Sequence, residues 1–459
     1  MSENIHDLTI AYIGGGSRGW AWGLMRDLAA AEGIGGTVAL YDIDQAAAGQ
    51  NALIGNRLSR KTGASWTYRA EASLEGALGG ADFVIISILP GTFAEMASDV
   101  HAPEAYGVYQ SVGDSVGPGG VIRAMRTLPM YEVIAQAIER SCPDGWVINY
   151  TNPMAACVGC LYRVFPGIKA IGCCHEVFGA QHLLCEMLDV LEGVRAERCE
   201  LETNVLGVNH YTVIDRASWR GLDLSGLIAR FAERYWATGY TPPGQEDYRE
   251  NPFTYAHRVK LDMYKRYGVL GAAGDRHLAE FFPNPWYLGS AENAASWTFG
   301  LTPVSWRIRD LEDRLARAGR LASGQEELDL TPTGEEGVKQ IKALLGLTPG
   351  FVTNVNLPNS GQFAGMPGGA IVETNAYISK DSIKPIFSGS QPAALAAVTR
   401  RHCENQLAMS QAAALRDGKL AFEVFCNEPA LGGLSMPDLR ALFDTMTKNT
   451  AEYLKDWKF

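Results

Sequence analysis

The sequence lacks the features that mark a membrane protein, a general nucleic-acid-binding protein or a collagen-like chain. No stretch of eighteen consecutive apolar residues occurs, so a membrane-spanning helix is not expected. The 459 residues include 40 Lys and Arg against 51 Asp and Glu, with no long basic cluster, which excludes a general electrostatic grip on nucleic acid. The 50 glycines follow no fixed period, so a collagen helix is excluded as well.

The cysteine count and the first residues of the chain predict a reducing compartment. Nine cysteines are an odd number, in a chain long enough to bury a large core, and this argues against a disulfide framework. The first sixteen residues show no basic segment followed by an apolar run, so they do not resemble a signal peptide. Together these observations predict a cytoplasmic protein with no membrane partner.

Short apolar segments alternate with segments of helical periodicity over the first two hundred residues. Near-continuously apolar strands separated by helices are typical of a parallel sheet that is covered on both faces. The pattern predicts an α/β protein whose N-terminal domain, residues 1–198, is a Rossmann-like, doubly wound parallel sheet. The predicted strands are 8–13, 37–41, 81–88, 145–150 and 168–174, and the predicted helices are 18–31, 46–61, 128–141 and 153–164.

The pattern changes after about residue 200, where longer amphipathic helices appear. Since no linker separates the two parts, we expect them to share an interface. Residues 199–459 are therefore predicted to form a mixed α+β C-terminal domain, in a lactate/malate dehydrogenase-like arrangement. Its predicted strands are 199–209, 351–357 and 369–378, its predicted helices are 224–236, 254–267, 306–318, 335–345, 392–416 and 436–457, and 320–332 is predicted to be a polar loop.

A glycine motif near the start of the chain predicts a dinucleotide site. Three glycines fit G-x-G-x-x-G between a predicted strand and a predicted helix, and Asp42 follows the last of them by 23 residues. Such glycines let the backbone approach a pyrophosphate at a helix N-terminus, and the acidic residue accepts hydrogen bonds from the ribose, which favours NAD over NADP. A plain tight turn is the alternative. The predicted cofactor-binding residues are Gly14, Gly16, Ser17, Arg18, Gly19 and Asp42.

Five further segments carry a resemblance to a known family. The sequence resembles glycoside hydrolase family 4, the NAD- and metal-dependent glycosidases, an exception to hydrolysis by two carboxylates. The Cys-His-Glu-Val form resembles the subgroup that acts on α-galacturonides, and related forms occur in α-galactosidases and α-glucuronidases. The segments, in the family's order, are GPGGVIRAMRTLP (117–129), INYTNPM (148–154), CCHEV (173–177), GVNH (207–210) and VNLPNSGQFAGMPGGAIVE (355–373).

The resemblance implies a metal ion, Mn²⁺, bound by Cys174 and His210. Cys174 ends a predicted strand at the carboxyl edge of the sheet, where ligands of such folds bind, and His210 follows a second predicted strand. A thiolate and an imidazole leave positions open for two substrate hydroxyls. A soft thiolate suits other divalent transition metals too, so the identity of the metal comes from the resemblance. From the residues alone, a buried inert cysteine and a core histidine are the alternatives.

The mechanism that the resemblance implies is an elimination assisted by NAD. NAD⁺ takes a hydride from C3 of the sugar, a base removes the C2 proton, an acid helps to expel the C1 leaving group, and the steps then reverse after water adds. We assign the acid to His175, with Glu176 as a further acid candidate. The base is assigned to Asp275, with His277 and Glu280 as further base candidates. Sugar binding by His175 and helix capping by Asp275 are the alternatives. The residues predicted to contact the sugar are Asn152, Glu176 and Asn209.

The sequence also bears on the C6 group of the sugar. Family members that act on 6-phosphorylated sugars carry an arginine shortly after the third strand, whereas residues 87–99 contain no Arg or Lys, which disfavours a phosphorylated substrate. A uronate requires a cation, for which Arg276 and Arg309 are candidates, with a solvated surface position as the alternative. The Glu176 carboxylate would repel the carboxylate of a uronate, so a neutral galactoside remains an alternative substrate.

The sequence therefore predicts an α-galacturonidase that acts on a small sugar or an oligogalacturonide and forms a homodimer or homotetramer. An α-galactosidase or α-glucuronidase of the same family is the nearest alternative. Two alternatives of other classes are an NAD-dependent 2-hydroxy-acid dehydrogenase, which needs no metal thiolate, and a non-enzymatic dinucleotide sensor, which needs neither metal nor turnover.

Overall fold

Thirteen strands join in one sheet within residues 5–459, the part of the chain that this computed structural model describes. Their order is β10-β8-β7-β12-β11-β6-β5-β4-β1-β2-β3, with β13 paired to β12 and β9 paired to β8. The strands are β1 (Ile5–Ile13), β2 (Ile34–Tyr41), β3 (Trp66–Ala70), β4 (Phe83–Ile86), β5 (Trp146–Asn149), β6 (Lys169–Gly172), β7 (Leu201–Val208), β8 (Tyr211–Trp219), β9 (Leu222–Asp223), β10 (Leu270–Gly271), β11 (Phe351–Pro358), β12 (Ile371–Ser379) and β13 (Ser382–Pro385).

Seventeen α-helices of residues 5–459 pack around this sheet. They are α1 (Trp20–Ala30), α2 (Gln45–Thr62), α3 (Leu74–Leu78), α4 (Phe93–His101), α5 (Gly117–Ser141), α6 (Met154–Val164), α7 (Glu176–Glu192), α8 (Ser225–Tyr235), α9 (Arg258–Tyr267), α10 (Asp275–Leu278), α11 (Asn284–Tyr287), α12 (Ala291–Ser296), α13 (Val304–Ser323), α14 (Gly337–Leu344), α15 (Ala393–Leu415), α16 (Gly418–Cys426) and α17 (Met436–Asn449). None of these helices is both long and apolar enough to cross a membrane.

The six strands β3-β2-β1-β4-β5-β6 are parallel, and their order is that of the doubly wound dinucleotide-binding fold. Alternate residues of each strand enter opposite cores, because side chains of a strand point to opposite faces. Ala11 and Ile13 of β1 pack with α5 and α6, whereas Ile10 and Tyr12 pack with α1 and α2. Burial on both faces explains why the central strand β4 is wholly apolar. The predicted Rossmann-like α/β architecture is confirmed.

The remaining strands extend this sheet by antiparallel pairing. Strand β11 joins β6 through the pair Asn356–Gly172, and β12, β7, β8 and β10 follow in turn. A Cβ atom on Gly172 would lie 2.8 Å from Met154 Cγ and 3.0 Å from Asn356 Cβ, so this contact requires glycine. The mixed α+β second half is thus confirmed, and the sheet runs without interruption from one half to the other.

Several element boundaries differ from the prediction. Helix α5 begins at Gly117 rather than at 128, because its N-terminal N–H is satisfied by Glu428, which is 311 residues away in the sequence. The prediction did not include β3, β8, α4, α7 or α16. Helix α17 ends at Asn449 instead of 457, and α13 extends to Ser323 into the segment predicted to be a loop.

A buried ion pair fixes α5 against α4 and the loop that follows β4. The Arg126 guanidinium donates to both oxygens of Asp99, at 3.0 and 2.5 Å, and its Nε donates to the Pro90 carbonyl. The side chains of Arg126 and Asp99 are each 1% exposed. Since a charge in this position has no access to water, each partner depends on the other.

We expect the substitution Asp99→Ala to lower the free energy of unfolding by about 3–5 kcal/mol, because it leaves the Arg126 charge buried without a partner. The matched control is Glu75→Ala, which removes an acid from the exposed Arg140–Glu75 pair and should cost less than about 1 kcal/mol. Denaturant unfolding of both variants measures the difference. Equal stability losses in the two variants would contradict this interpretation of the buried pair.

Candidate active site

The glycine-rich loop between β1 and α1 turns tightly against the neighbouring strand end. Gly14 has a φ of +92°, and a Cβ atom there would lie 2.0 Å from the Ser87 carbonyl oxygen. The Gly16 N–H donates to Asp42 Oδ2 at 2.9 Å, so the acidic residue after β2 holds the loop. Within residues 5–459 no side chain caps the first turn of α1, and its N–H groups are free to bind an anion. This cradle fits the pyrophosphate of a dinucleotide.

Asn51 of α2 holds the glycine loop through hydrogen bonds to two of its carbonyl groups. Its amide donates to the carbonyl oxygens of Gly15 at 2.7 Å and Ser17 at 3.0 Å, and its Oδ1 accepts from Trp22 Nε1. Sequence reasoning missed Asn51. The available signal was a polar residue within the buried face of an amphipathic helix, which requires internal hydrogen-bond partners.

Arg18, which the sequence predicts to contact phosphate, lies at the edge of the loop. Its guanidinium is 3.6 Å from the Asp44 carboxylate, and its carbonyl oxygen accepts from Arg314 Nη1 at 3.0 Å. A Cβ atom on Gly19 would lie 2.7 Å from the same Arg314 nitrogen. Arg314 of α13 therefore lies against the glycine loop. The phosphate contact of Arg18 stays a prediction.

A carboxylate and two imidazoles gather at the carboxyl edge of the sheet. His210 lies in the turn between β7 and β8 with a φ of +65°, Asp114 precedes α5, and His277 belongs to α10. Their ligand atoms all lie within 4.8 Å of one another. The two imidazole ring centroids are 3.7 Å apart, and His210 Nδ1 is 3.0 Å from Ser115 Oγ. We refer to Asp114, His210 and His277 as the histidine–aspartate cluster.

The electrostatics of the histidine–aspartate cluster favour a bound cation. Burial, together with the neighbouring His210, lowers the pKa of His277 to about 3, which leaves its ring nitrogen free to coordinate. Burial alone would raise the pKa of Asp114, but the two imidazoles and Arg123 hold it well below its ordinary value. A carboxylate beside two imidazoles is a donor set that suits a divalent transition metal.

Cys174 follows β6 and contacts the turn that carries His210. Burial raises the pKa of its thiol well above the ordinary value, and the neighbouring carboxylates of Glu373 and Glu176 act in the same direction. Coordination of a cation would favour the thiolate. Among residues 5–459, the group within 4.8 Å of one another includes His210 but not Cys174, so the shared ligation of one metal by Cys174 and His210 stays a prediction.

Asn152 and Asn209, which adjoin the histidine–aspartate cluster, each have a side-chain oxygen without a hydrogen-bond partner in the described chain. Asn152, which precedes the cis Pro153, donates to Asp114 Oδ2 at 3.1 Å, and Asn209 donates to Glu373 Oε2 at 3.3 Å. The Oδ1 atoms of both asparagines are buried and have no hydrogen-bond partner within residues 5–459. A buried acceptor without a partner is unfavourable, so both atoms fit a cation or a ligand donor.

His175 lies at the N-terminus of α7, where its Nε2 is 3.9 Å from the Glu176 carboxylate. Its Nδ1 is 2.9 Å from Glu335 Oε1, and its ring centroid lies 5.9 Å from that of Trp20. The hydrogen bond to Glu335 raises the pKa of His175, against the opposing effect of burial. The imidazole therefore holds its proton to higher pH, as a proton donor requires.

Glu176 turns towards the histidine–aspartate cluster. Its carboxylate accepts from the Gly274 N–H and lies 3.7 Å from His277 Nε2. Burial opposes ionisation, but His277, His210 and His175 lower the pKa of Glu176 to about 2. A Cβ atom on Gly274 would lie 3.2 Å from the hydroxyl oxygen of Tyr255, which places this tyrosine beside Glu176. Sequence reasoning did not assign Tyr255.

Asp275 caps a neighbouring helix. Its carboxylate accepts from the N–H groups of Val259 at 3.0 Å and Lys260 at 3.2 Å, in the first turn of α9, and Lys260 Nζ lies 3.4 Å away. Both side chains of this pair are fully buried. The helix that Asp275 caps precedes it in the sequence, so the expected capping of its own helix α10 is not what these contacts show. The catalytic role of Asp275 stays a prediction.

Glu280 supports the loop that carries Asp114. Its Oε1 accepts from the N–H groups of Val112 at 2.7 Å and Gly113 at 2.9 Å, while Arg276 Nη2 donates to the Ser111 carbonyl at 2.6 Å. Burial raises the pKa of Glu280 to about 7. These contacts make Glu280 a support for the loop.

We expect Asp275→Asn to lower the free energy of unfolding by about 3–5 kcal/mol, because Lys260 would lose its buried counter-charge. The control is Asp247→Asn in the exposed Arg249–Asp247 pair, with an expected loss below about 1 kcal/mol. Denaturant unfolding measures both. An Asp275→Asn variant of wild-type stability that has lost all activity would show instead that this carboxylate serves the chemistry.

The raised pKa of Glu280 predicts a pH-dependent stability. The folded state holds this proton up to about pH 7, whereas the unfolded state releases it near 4.5, so the wild type loses stability as pH rises between these values. Glu280→Gln keeps an acceptor for both N–H groups and removes the titration. We expect the stability of the variant relative to wild type to increase from pH 4.5 to 7. A pH-independent difference in unfolding midpoints would contradict this.

Two family models match most of the chain. The model for family 4 glycosyl hydrolases matches residues 9–190, and the model for the family 4 glycosyl hydrolase C-terminal domain matches residues 205–431. An α-galacturonidase from Thermoanaerobacterium saccharolyticum is 55% identical over 457 residues, which cover 99% of this chain and 98% of that protein.

Solved structures agree with these matches. The crystal structure of lplD from Bacillus subtilis has a TM-score of 0.92 and 48% identity, and it covers 96% of this chain and 100% of that chain. A 6-phospho-α-glucosidase from gut microorganisms, in complex with NAD and Mn²⁺, shares the fold at a TM-score of 0.82 and 18% identity, covering 98% and 100%. The chain therefore belongs to glycosyl hydrolase family 4 and is a glycosidase.

Proposed function

We propose that this glycosidase is an α-galacturonidase that acts on non-phosphorylated α-galacturonides. The observation that carries the proposal is the 55% identity to the α-galacturonidase of Thermoanaerobacterium saccharolyticum along almost the whole of both chains. The Cys-His-Glu-Val segment at 173–177 and the absence of Arg and Lys from residues 87–99 support it. Membership of family 4 favours hydrolysis over a 2-hydroxy-acid dehydrogenase or a dinucleotide sensor.

We propose NAD and a divalent cation, Mn²⁺, as cofactors. The glycine loop with Gly14, Gly16 and Asp42 fits the dinucleotide, since its glycines admit no Cβ and its helix is uncapped. Cys174 and the histidine–aspartate cluster fit the cation, since they offer a thiol, a carboxylate and two imidazoles around unpartnered amide oxygens. When bound, NAD⁺ supplies a hydride acceptor at C3 of the sugar, and the cation supplies positive charge beside its hydroxyls.

Side chains of the protein then carry out the two proton transfers, one to the leaving oxygen and one from C2 of the sugar. His175, held by Glu335, carries the proton for the leaving oxygen. The sequence assigns the base to Asp275, whose carboxylate is already engaged by α9 and Lys260. We propose Tyr255 as the base for the C2 proton, because its hydroxyl lies beside Glu176 at the edge of the histidine–aspartate cluster. Burial and the charges of Glu176 and Asp275 raise the pKa of Tyr255 well above its ordinary value, and Arg276 acts in the opposite direction.

The two halves of the chain carry different parts of the proposed function. Residues 1–198 bind the dinucleotide, and residues 199–459 complete the substrate and metal site and form the interface of a homodimer or homotetramer. Apolar side chains exposed on residues 5–459, including Leu407 and Leu415 of α15, support an interface. Nine free cysteines support a reducing, cytoplasmic location.

Hydrolysis of 4-nitrophenyl α-galacturonide, α-galactoside and α-glucuronide, with NAD⁺, Mn²⁺ and a thiol reductant, tests the proposal. We expect the highest kcat/KM on the α-galacturonide. The substitution Cys174→Ser should lower this value by more than the roughly 10–100-fold that a supporting residue contributes to a metal site. The exposed Cys199→Ser variant is the matched control. Reduction of NAD⁺ by a 2-hydroxy acid, without glycoside cleavage, would contradict the proposal.

A further inference from the structure

Two arginines beside the histidine–aspartate cluster have no carboxylate partner. Arg276 of α10 and Arg307 of α13 both lie near the Phe253 ring, with guanidinium carbons 5.2 and 5.5 Å from its centroid. Arg276 is 5% exposed. No carboxylate of residues 5–459 lies within 4.0 Å of the guanidinium nitrogens of either arginine.

The hydrogen bonds of these arginines leave donors unused. Arg276 Nη2 donates to the Ser111 carbonyl and to Thr302 Oγ1, whereas its Nε is buried without a partner among the described residues. Arg307 makes no side-chain hydrogen bond to any residue from 5 to 459. Donors that no part of the described chain uses are available to a ligand.

The nearby acids are already engaged. Glu280 accepts from the N–H groups of Val112 and Gly113, and Asp114 accepts from Asn152 and Ser115. Burial lowers the pKa of Arg276 to about 10; the charge of Arg307 acts in the same direction, and Glu280 and Glu176 act against it. A buried cation beside a second, half-buried cation favours an anion that contacts both.

We propose that Arg276 and Arg307 bind the C6 carboxylate of the α-galacturonide, an inference that rests on the proposed function. The guanidinium group of Arg307 matches a carboxylate with two parallel hydrogen bonds, and Arg276 offers its unpartnered Nε–H. The position fits, because Arg276 directly precedes His277 of the cluster and its charge acts on Glu176 and Tyr255, while Arg307 acts on Asp114. The two positive charges offset the repulsion between Glu176 and a uronate.

The proposal replaces one of the two arginines that the sequence suggests. Arg309 is exposed on α13, whereas Arg307 is half-buried and faces Phe253. Two residues are about 200° apart around a helix, so these side chains point in nearly opposite directions. The Arg276 candidate of the sequence analysis is retained.

The test compares Arg307→Gln with Arg309→Gln, which removes the same charge at an exposed position of the same helix. For the α-galacturonide we expect kcat/KM to fall about 10- to 100-fold in Arg307→Gln, the effect of losing hydrogen bonds to a charged group. For the α-galactoside it should change less than about threefold. Arg309→Gln should match wild type on both substrates. Arg276→Lys, which keeps the charge but removes the unpartnered Nε–H donor, should share the selective loss.

Equal losses on both substrates, or no loss on either, would overturn the assignment. Inhibition by free galacturonate and by galactose gives a second readout, since only the acid should bind more weakly to Arg307→Gln. A wild-type enzyme that prefers a 6-phosphogalactoside would show that the two arginines bind a phosphate group instead, and would overturn the carboxylate assignment.

Two further outcomes separate the proposed function from this inference. A wild-type enzyme that cleaves galactosides but not galacturonides would refute the proposed function itself. A wild-type preference for galacturonide that is retained in Arg307→Gln would refute the inference alone.

Discussion

The antiparallel contact between β6 and β11 is the constraint on which the rest of the site depends. It rests on the Gly172–Asn356 pair, where a larger residue than glycine would clash with Met154. The contact joins the parallel strands, which present the glycine loop and Cys174, to the antiparallel strands, which present His210. Without this junction the two groups of side chains would belong to separate sheets.

Acidic residues that reach distant backbone N–H groups position the polar parts of the site. Asp275 caps α9, Glu280 holds the loop that carries Asp114, and Glu428 satisfies the first N–H of α5. Each of these carboxylates is buried and its partners are donors, so its orientation is determined by several hydrogen bonds at once. Beside Asp114 and His210, the buried Oδ1 atoms of Asn152 and Asn209 have no hydrogen-bond partner among the described residues.

The sequence predicted the parts of the site that follow a local rule. Strand, glycine turn and helix succeed one another within residues 5–30, and Cys174 follows a strand end, so both were placed at the carboxyl edge of the sheet. Asp114, Asn51 and Arg307 were missed because their roles come from partners that are distant in the sequence. The alternatives for Asp275, base or cap, look identical in a sequence, since either needs one carboxylate before an apolar run.

The central claim is that residues gathered at this edge of the sheet remove a proton from C2 of the sugar during glycoside cleavage. Hydrolysis of an α-galacturonide in D₂O, followed by mass analysis of the released galacturonate, tests it most directly. The account predicts one solvent deuterium at C2 of each released sugar, because C2 is reprotonated from solvent after elimination. Complete cleavage with no deuterium at C2 would contradict it and would require direct displacement at C1.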